Sequence, residues 1–292
     1  MIQIDCNIAI DAFSTTDMKL VVSNIMKINY IDIDSVEIIK KSVDARRSKK
    51  ITWFLSLAVK LKNETGISSN YRPYIKPLRL ITELDLPVIC NSKQKRIAVV
   101  GSGPAGLFAA LTLVESGCNP VIFERGSDVE NRIKAIQIFN NTGVLDFNTN
   151  MQFGEGGAGT FSDGKIGSGI SSGYVPVVIG EFLRFGAPAE IKYLRSPHIG
   201  KDYLIGIVKK MREYIIKNGG CFNFNTRVTD LKIKNKKVTG ITANGIENDF
   251  DYVILATGNS GKEITPVYMK KGLIYSRKHS QWVLELSTSS AI

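Results

Sequence analysis

Three glycines and one acidic residue form the pattern in this sequence that most clearly points to chemistry. Gly101, Gly103 and Gly106 come directly after a short apolar segment, and Glu124 lies eighteen residues beyond the last of them. The first glycine of such a spacing allows a tight turn, and the second lets an anionic group approach the backbone without a β-carbon in the way. The third lets a helix pack closely on a strand. The spacing therefore predicts a turn that binds the pyrophosphate of a dinucleotide.

The elements around the glycines fit this interpretation. The sequence predicts a buried strand over Arg96–Val100, a helix over Pro104–Ser116 and a second strand over Pro120–Glu124. The helix N-terminus would present free amides to the pyrophosphate, and the Glu124 carboxylate would accept hydrogen bonds from a ribose. An acid there repels a 2′-phosphate, which disfavours NADP. We therefore expect Lys95–Gly126 to bind the ADP half of a dinucleotide through Gly101, Gly103, Pro104, Ala105, Gly106, Glu124 and Arg125.

From Arg96 onward, strands and helices alternate, which predicts an α/β fold with a Rossmann-type parallel sheet. The periodicity of Leu204–Asn218 predicts an amphipathic helix, and Tyr252–Ala256 is typical of a buried strand. Two further strands are predicted over Cys221–Val228 and Val238–Ala243, separated by the polar run KIKNKK.

The first part of the chain has a different pattern. IQIDCNIAI predicts a strand, Thr16–Ile28 a helix, and the segments around Ser35–Ile39 and Thr52–Leu61 two more strands. A connector with three prolines follows. We therefore expect a small α+β module with its connector at residues 1–92, a Rossmann-type domain at 93–272 and an atypical tail at 273–292.

The composition predicts a soluble, cytoplasmic protein that does not span a membrane. Apolar residues make up 43% of the chain, no run of eighteen apolar residues occurs, and MIQIDCNIAID is acidic where a signal peptide would be basic. Cys6, Cys90, Cys118 and Cys221 lie far apart, so we expect reduced thiols. Because His198 and His279 are also isolated, no metal site is expected.

The net charge of +11 indicates some affinity for anions, but the basic residues are spread along the chain and many will be solvated. The densest basic run, KKSVDARRSKK at Lys40–Lys50, is where RNA or phosphate could bind. Aromatic side chains do not alternate with this run, which disfavours a nucleic-acid partner.

The segment from Thr226 to Gly258 resembles the closing portion of two-dinucleotide-binding flavoproteins. The resemblance implies that Val228 contacts an adenine through its backbone. It also implies that the sequence ATG, which includes Thr257 and Gly258, returns the chain to the cofactor. This resemblance favours FAD over NAD as the bound dinucleotide.

The segment Asn150–Lys165, NMQFGEGGAGTFSDGK, is too rich in glycine for the interior of a helix or strand, so we expect a loop with amides available to a ligand. Together with GSGPAGLFAA, IFERG, TGVLDFNTN, SPHIG and SVDARR, it resembles a bacterial family of uncharacterised FAD-dependent dehydrogenases that have a glutathione-reductase-type FAD domain. The resemblance covers roughly residues 1–272. It implies a loop near the pyrophosphate or the flavin that includes Gln152, Gly156, Gly157, Gly159, Thr160, Ser162, Gly164 and Lys165.

Lys165 and His198 are the candidates for a direct role in catalysis. Within the resemblance, Lys165 could stabilise negative charge on a reduced flavin, or it could be a solvated loop lysine. His198 could donate a proton or contact a substrate, with Asp202 as its partner, or it could serve only to shape a turn.

The function predicted from these features is an FAD-dependent oxidoreductase of unknown substrate, with NADH or NADPH as an electron donor. The alternatives are a non-catalytic flavin-binding or nucleotide-binding remnant and an RNA-associated flavoprotein.

Two features depart from the family. GNSGK at Gly258–Lys262 lacks the histidine, arginine and acid that the resemblance leads us to expect. Family members also continue beyond the length of this chain. One permitted set of codons for KHSQWVLELST at Lys278–Thr288, when it is read one base earlier, encodes AFAMGVRIEH, which looks like the continuation of the family sequence. We therefore hypothesise a shifted reading frame from about Lys278 and a C-terminally truncated protein with an exposed sheet edge. This hypothesis predicts weak or absent flavin binding.

Overall fold

The computed structural model describes residues 1–46, 50–62, 76–77, 95–167, 172–235, 237–258, 275–278 and 281–284. The chain divides into two compact units, one from Met1–Asp85 with Lys165–Ile199 and the other from Leu86–Gly164 with Gly200–Ile292. The domain boundaries predicted at residues 92 and 272 lie outside the described residues. So do Arg47–Lys49 of the basic run, Asn259–Lys262 of the divergent turn, and the predicted tail beyond Lys278 apart from one short strand.

The described part of the chain contains five α-helices and thirteen strands. The helices are α1 (Met18–Met26), α2 (Pro104–Glu115), α3 (Val129–Thr142), α4 (Tyr174–Arg184) and α5 (Lys201–Lys217). The strands are β1 (Ile2–Ala9), β2 (Ile33–Asp44), β3 (Thr52–Leu61), β4 (Lys76–Pro77), β5 (Ile97–Val100), β6 (Pro120–Phe123), β7 (Cys221–Asn223), β8 (Val228–Lys234), β9 (Lys237–Ala243), β10 (Ile246–Asp249), β11 (Tyr252–Leu255), β12 (Tyr275–Lys278) and β13 (Gln281–Leu284).

The first unit is built on a four-stranded sheet with the strand order β2-β3-β1-β4. Strand β3 pairs antiparallel with both β1 and β2. Helix α1 begins where the Asp17 carboxylate accepts a hydrogen bond from the Lys19 amide at 2.8 Å, which satisfies one of the free amides of the first turn. The apolar side chains of the helix and the strands pack into one core, formed by Ile4, Ile8, Val22, Met26, Ile33, Leu55, Leu57 and Val59.

The second unit contains a parallel four-stranded sheet with the order β11-β5-β6-β7. All residues of the central strand β5 are buried, as expected for a parallel strand covered on both faces. Helix α2 packs against β5, β6 and β11, and also against α5. An antiparallel sheet of order β10-β9-β8 contributes to the same core, in which Phe123 and Phe250 make an edge-to-face contact with their centroids 5.7 Å apart.

The predicted α/β fold with a parallel sheet is confirmed, but two predicted details are wrong. The strand predicted over Cys221–Val228 is interrupted. Its first residues pair with β6, Asn225 then takes a left-handed φ of 53°, and Val228 begins β8 in the antiparallel sheet. The run KIKNKK does not separate two strands as a loop, because β8 extends to Lys234 and β9 begins at Lys237.

The elements that were not predicted are α3, α4, β4, β10, β12 and β13. Of these, α3 has the greatest bearing on the site, because it stands between the glycine turn and the glycine-rich loop along the chain. Within the described residues, no helix is both long and apolar enough to cross a membrane.

Candidate functional site

The glycine turn joins β5 to α2 at the carboxyl edge of the parallel sheet. Gly101 has a φ of +101°, and a β-carbon there would lie 2.5 Å from the Ala256 carbonyl oxygen. A β-carbon on Gly106 would lie 1.9 Å from the Gly101 carbonyl oxygen. Both positions therefore need glycine for the turn itself. Gly103 differs, because a β-carbon there would meet no atom within 4 Å.

Helix α2 starts directly after Gly103, which is its N-cap residue, and Pro104 occupies the first turn. No side chain caps the helix, so the amides of its first turn remain available to a ligand. The partial positive charge at this end of a twelve-residue helix favours an anion. The N-terminus of α2 thus has the character of a phosphate site.

The Glu124 carboxylate is fixed beside the glycine turn. One oxygen accepts hydrogen bonds from the Ser102 amide at 2.8 Å and from the Ser102 hydroxyl at 2.9 Å, and the other accepts from the Gly126 amide at 2.9 Å. The side chain is buried, with 7% of the residue exposed. A carboxylate has about four acceptor positions, so one remains for a hydroxyl of a ligand.

The glycine-rich loop that follows α3 is wrapped around the Arg132 guanidinium. The Nε and Nη2 atoms donate to the Asn150 carbonyl at 3.1 and 3.0 Å, and Nη2 also donates to the Met151 carbonyl at 3.1 Å. The Nη1 atom donates to the Gly157 carbonyl at 2.9 Å. Arg132 has no exposed surface. Burial lowers its pKa to about 10, although nearby carboxylates oppose the shift, so the guanidinium is charged at neutral pH.

Glu155, in the same loop, is also fully buried. One carboxylate oxygen accepts hydrogen bonds from the Val129 amide at 2.8 Å and from Arg212 at 3.0 Å, and Arg212 bonds as well to Glu130 at 2.7 Å. The other oxygen of Glu155 has no hydrogen-bond partner among the described residues. Burial raises the pKa of Glu155 to about 7, although the charge of Arg212 lowers it.

The loop and the glycine turn meet directly. The Gly156 amide donates to the Ser102 carbonyl at 2.8 Å, and a β-carbon on Gly157 would lie 3.2 Å from Pro104. The Arg125 guanidinium stacks on the Phe153 ring, 3.6 Å from its centroid. These contacts bring residues from three separated segments to one place.

Together these segments enclose a cavity of about 490 Å³, which is within the usual range for a small-molecule site. The structure brings eleven of the predicted cofactor residues to its wall. They are Gly101, Gly103, Pro104, Ala105, Glu124, Arg125, Gln152, Gly157, Val228, Thr257 and Gly258.

The remaining predicted residues lie elsewhere. Gly106 and Gly156 have packing roles, since a β-carbon on Gly156 would lie 2.1 Å from the hydroxyl of the buried Thr160, and Gly159 also lies off the cavity wall. Lys165 and His198 belong to the first compact unit. Their backbones form an antiparallel bridge, and both side chains are exposed.

Several residues of the cavity wall were not predicted, among them Phe153, Gly154, Ala158, Thr226, Arg227 and Thr229. Arg132, which holds the loop, was not predicted either. One signal for it was present: Val129, Arg132 and Ile136 recur at the spacing of one helix face and form the buried side of α3. An arginine between two core positions of a helix face is unusual, and this was the available signal for a buried charge.

Metal and thiol chemistry receive no support from the described residues. They contain no group of three or more His, Cys, Asp or Glu side chains that could hold a metal ion. The cysteines described, Cys6, Cys118 and Cys221, are free, and none belongs to the cavity wall.

Residues 95–281 match the family model of the pyridine nucleotide-disulphide oxidoreductases. An uncharacterised protein of Clostridium beijerinckii is 40% identical over 233 residues, which cover 80% of this chain and 44% of that protein. The chain thus spans less than half the length of that relative.

Two solved structures are more distantly similar. Thermovibrio ammonificans THI4 is 18% identical with a TM-score of 0.42, over 62% of this chain and 64% of that one. The glycine oxidase of Bacillus cereus is 16% identical with a TM-score of 0.30, over 55% of each chain. At these scores neither structure bears on function.

Proposed function

The chain belongs to the pyridine nucleotide-disulphide oxidoreductase family, and from this premise we propose that it is an FAD-dependent oxidoreductase that holds the ADP half of FAD in the cavity at the glycine turn. The observation that carries the proposal is the contrast among the three glycines. Gly101 and Gly106 are needed for the turn, whereas Gly103 leaves open space on the cavity wall. A glycine at this position allows a phosphate to reach the backbone amides.

The surrounding groups suit the parts of the ADP half. The amides at the start of α2 would bind the pyrophosphate. The remaining acceptor position of Glu124 would take a ribose hydroxyl, and its negative charge would oppose a 2′-phosphate. Val228 lies on the same cavity wall, where its backbone would contact the adenine.

When bound, FAD would supply the hydride-transfer chemistry. The protein would supply position: the glycine turn and the Asn150–Gly157 loop would bind and orient the cofactor and exclude water from the pyrophosphate. NADH or NADPH is the proposed electron donor. His198 and Lys165 remain predictions as catalytic residues, because the described contacts assign neither of them a chemical role.

The proposal is tested on the purified chain. The flavin released by heat should be FAD, close to one per chain, and that result would also refute the weak binding predicted from a shifted reading frame. Anaerobic addition of NADH or NADPH should bleach the absorbance of the bound flavin. Release of FMN, or no binding of added FAD, would contradict the proposal. FAD that binds but is reduced by neither nicotinamide would favour the alternative of a non-catalytic flavin-binding module.

A further inference from the structure

The buried arginine of α3 lies directly behind the cavity wall. In addition to the bonds described above, Nη1 of Arg132 donates to the carbonyls of Gly154 and Glu155. Gly154 and Gly157 both belong to the wall, and a β-carbon on Gly154 would lie 2.3 Å from Cδ of Arg132. The guanidinium is therefore separated from the cavity by a single layer of backbone.

This arrangement orients the peptide groups of the loop. Because the carbonyl and the amide of a trans peptide point in opposite directions, the Gly157 carbonyl that bonds to Arg132 turns the Ala158 amide away from the arginine. Ala158 belongs to the cavity wall. The neighbouring amides are engaged elsewhere, with Glu155 N donating to the Ser127 carbonyl at 3.0 Å and Gly156 N donating to Ser102.

Arg132 also differs from the nearby Arg212 in the groups to which its guanidinium bonds. Arg212 is paired with the carboxylates of Glu130 and Glu155. The described hydrogen bonds of Arg132 all go to neutral backbone carbonyls, while the carboxylates of Glu124 and Glu155 lie near enough to favour its charged form. The Phe161 ring lies 4.5 Å from the guanidinium. A buried charge that water does not screen attracts an anion more strongly than an exposed one.

We propose that Arg132 is a positioning residue for the cofactor: it holds the Asn150–Gly157 loop in the shape that receives the pyrophosphate and places a positive charge behind it. This inference rests on the proposed binding of FAD. It assigns the arginine a part in selecting an anionic ligand, beyond a part in folding.

Two substitutions at this position separate charge from shape. Arg132→Met removes both the charge and the hydrogen bonds. Arg132→Lys keeps the charge but loses the planar fork, so it cannot bond to carbonyls at both ends of the loop. The matched control is Lys134→Met, which removes the same charge from an exposed position of the same helix.

The readout is the affinity of each folded variant for FAD, ADP and adenosine. Arg132→Met should lower the affinity for FAD and for ADP at least about tenfold. It should lower the affinity for adenosine less than about threefold, since adenosine carries no phosphate. The affinity of Arg132→Lys for FAD and ADP should fall between the affinities of wild type and Arg132→Met. Lys134→Met should bind both ligands as tightly as wild type. Wild-type affinity in both Arg132 variants, or an equal loss for ADP and adenosine, would overturn the inference alone. Failure of the wild type to bind FAD or ADP would overturn the proposed function and the inference together.

Amide hydrogen exchange on the wild type tests the inference even if neither Arg132 variant folds. Without ligand, the amides of Glu155, Gly156 and Gly157 should exchange slowly, and added FAD should slow the exchange of Ala158. Exchange of these loop amides at the rate of an unfolded peptide would show that Arg132 does not hold the loop. An Ala158 amide indifferent to bound FAD would show that the oriented peptide does not serve the ligand.

Discussion

Gly103→Ala should leave the protein folded but weaken its binding of FAD. Gly103 has a φ of −68° and a ψ of −176°, a backbone conformation that alanine adopts without strain. The new β-carbon would meet no protein atom within 4 Å. Because alanine restricts the unfolded chain more than glycine does, the free energy of unfolding should stay equal or rise by about 0.4–1 kcal/mol.

The other two glycines of the turn provide the contrast. Gly101→Ala would place a side chain at a φ of +101° and 2.5 Å from a backbone oxygen, where the left-handed conformation alone costs about 1–2 kcal/mol. Gly106→Ala would bring its β-carbon within 1.9 Å of the Gly101 carbonyl. Both variants should therefore lose stability before any ligand is added.

Among the three glycine variants, the affinity for FAD should not follow the order of their stabilities. The methyl group of Gly103→Ala would occupy the space through which the pyrophosphate approaches the amides. We expect at least a tenfold rise in the dissociation constant for FAD, which corresponds to about 1.4 kcal/mol.

Urea unfolding of the ligand-free variants, followed by circular dichroism, gives the stabilities, and quenching of flavin fluorescence gives the affinities. A Gly103→Ala variant that binds FAD as tightly as wild type would refute the role given to the open space. So would a Gly103→Ala variant as unstable as Gly106→Ala.

Three further predictions concern side chains around the same fold. Glu124→Gln should lower the free energy of unfolding by about 1–3 kcal/mol and weaken FAD binding, because the amide nitrogen would face a backbone N–H; a variant unchanged in both measurements would contradict this. In the folded state the pKa of Glu155 is raised to about 7, compared with 4.5 for an ordinary glutamate, so its carboxyl group stays protonated over a wider pH range. Wild type should therefore lose up to about 3 kcal/mol of stability as pH rises from 4.5 to 7, and Glu155→Gln should lose less over the same range in urea titrations; parallel curves would argue against the raised pKa. Phe250→Ala removes a buried ring that packs edge-on against Phe123 and should cost about 3–5 kcal/mol; a loss below about 1 kcal/mol in urea unfolding would show that the two sheets do not depend on this contact.

The parts of the fold that the sequence predicts best are those set by local backbone geometry. Gly101 and Gly106 are required by contacts within a few residues of the turn and with the strand paired beside it. Strand β3 was predicted with its observed bounds, Thr52–Leu61, because its apolar residues lie between clear polar boundaries. That the residues around the cavity bind FAD stays a prediction.

The features that were missed depend on contacts between distant segments. An arginine in the polar helix α3 is ordinarily solvent-exposed, and Arg132 is buried only because a loop about twenty residues later wraps around it. The strand predicted over Cys221–Val228 stops after Asn223 because of another contact between distant segments. The apolar pattern continues past this residue, but the Thr226 amide bonds to the Glu124 carbonyl at 2.8 Å and directs the chain into another sheet.

A competition experiment with ADP and FMN tests directly which part of FAD the cavity recognises. If the cavity recognises the ADP half through the glycine turn, ADP should displace FAD from the wild-type chain, and FMN, which lacks that half, should not. Displacement by FMN with no effect of ADP would contradict recognition of the ADP half, because it would place recognition on the flavin rather than on the pyrophosphate and ribose.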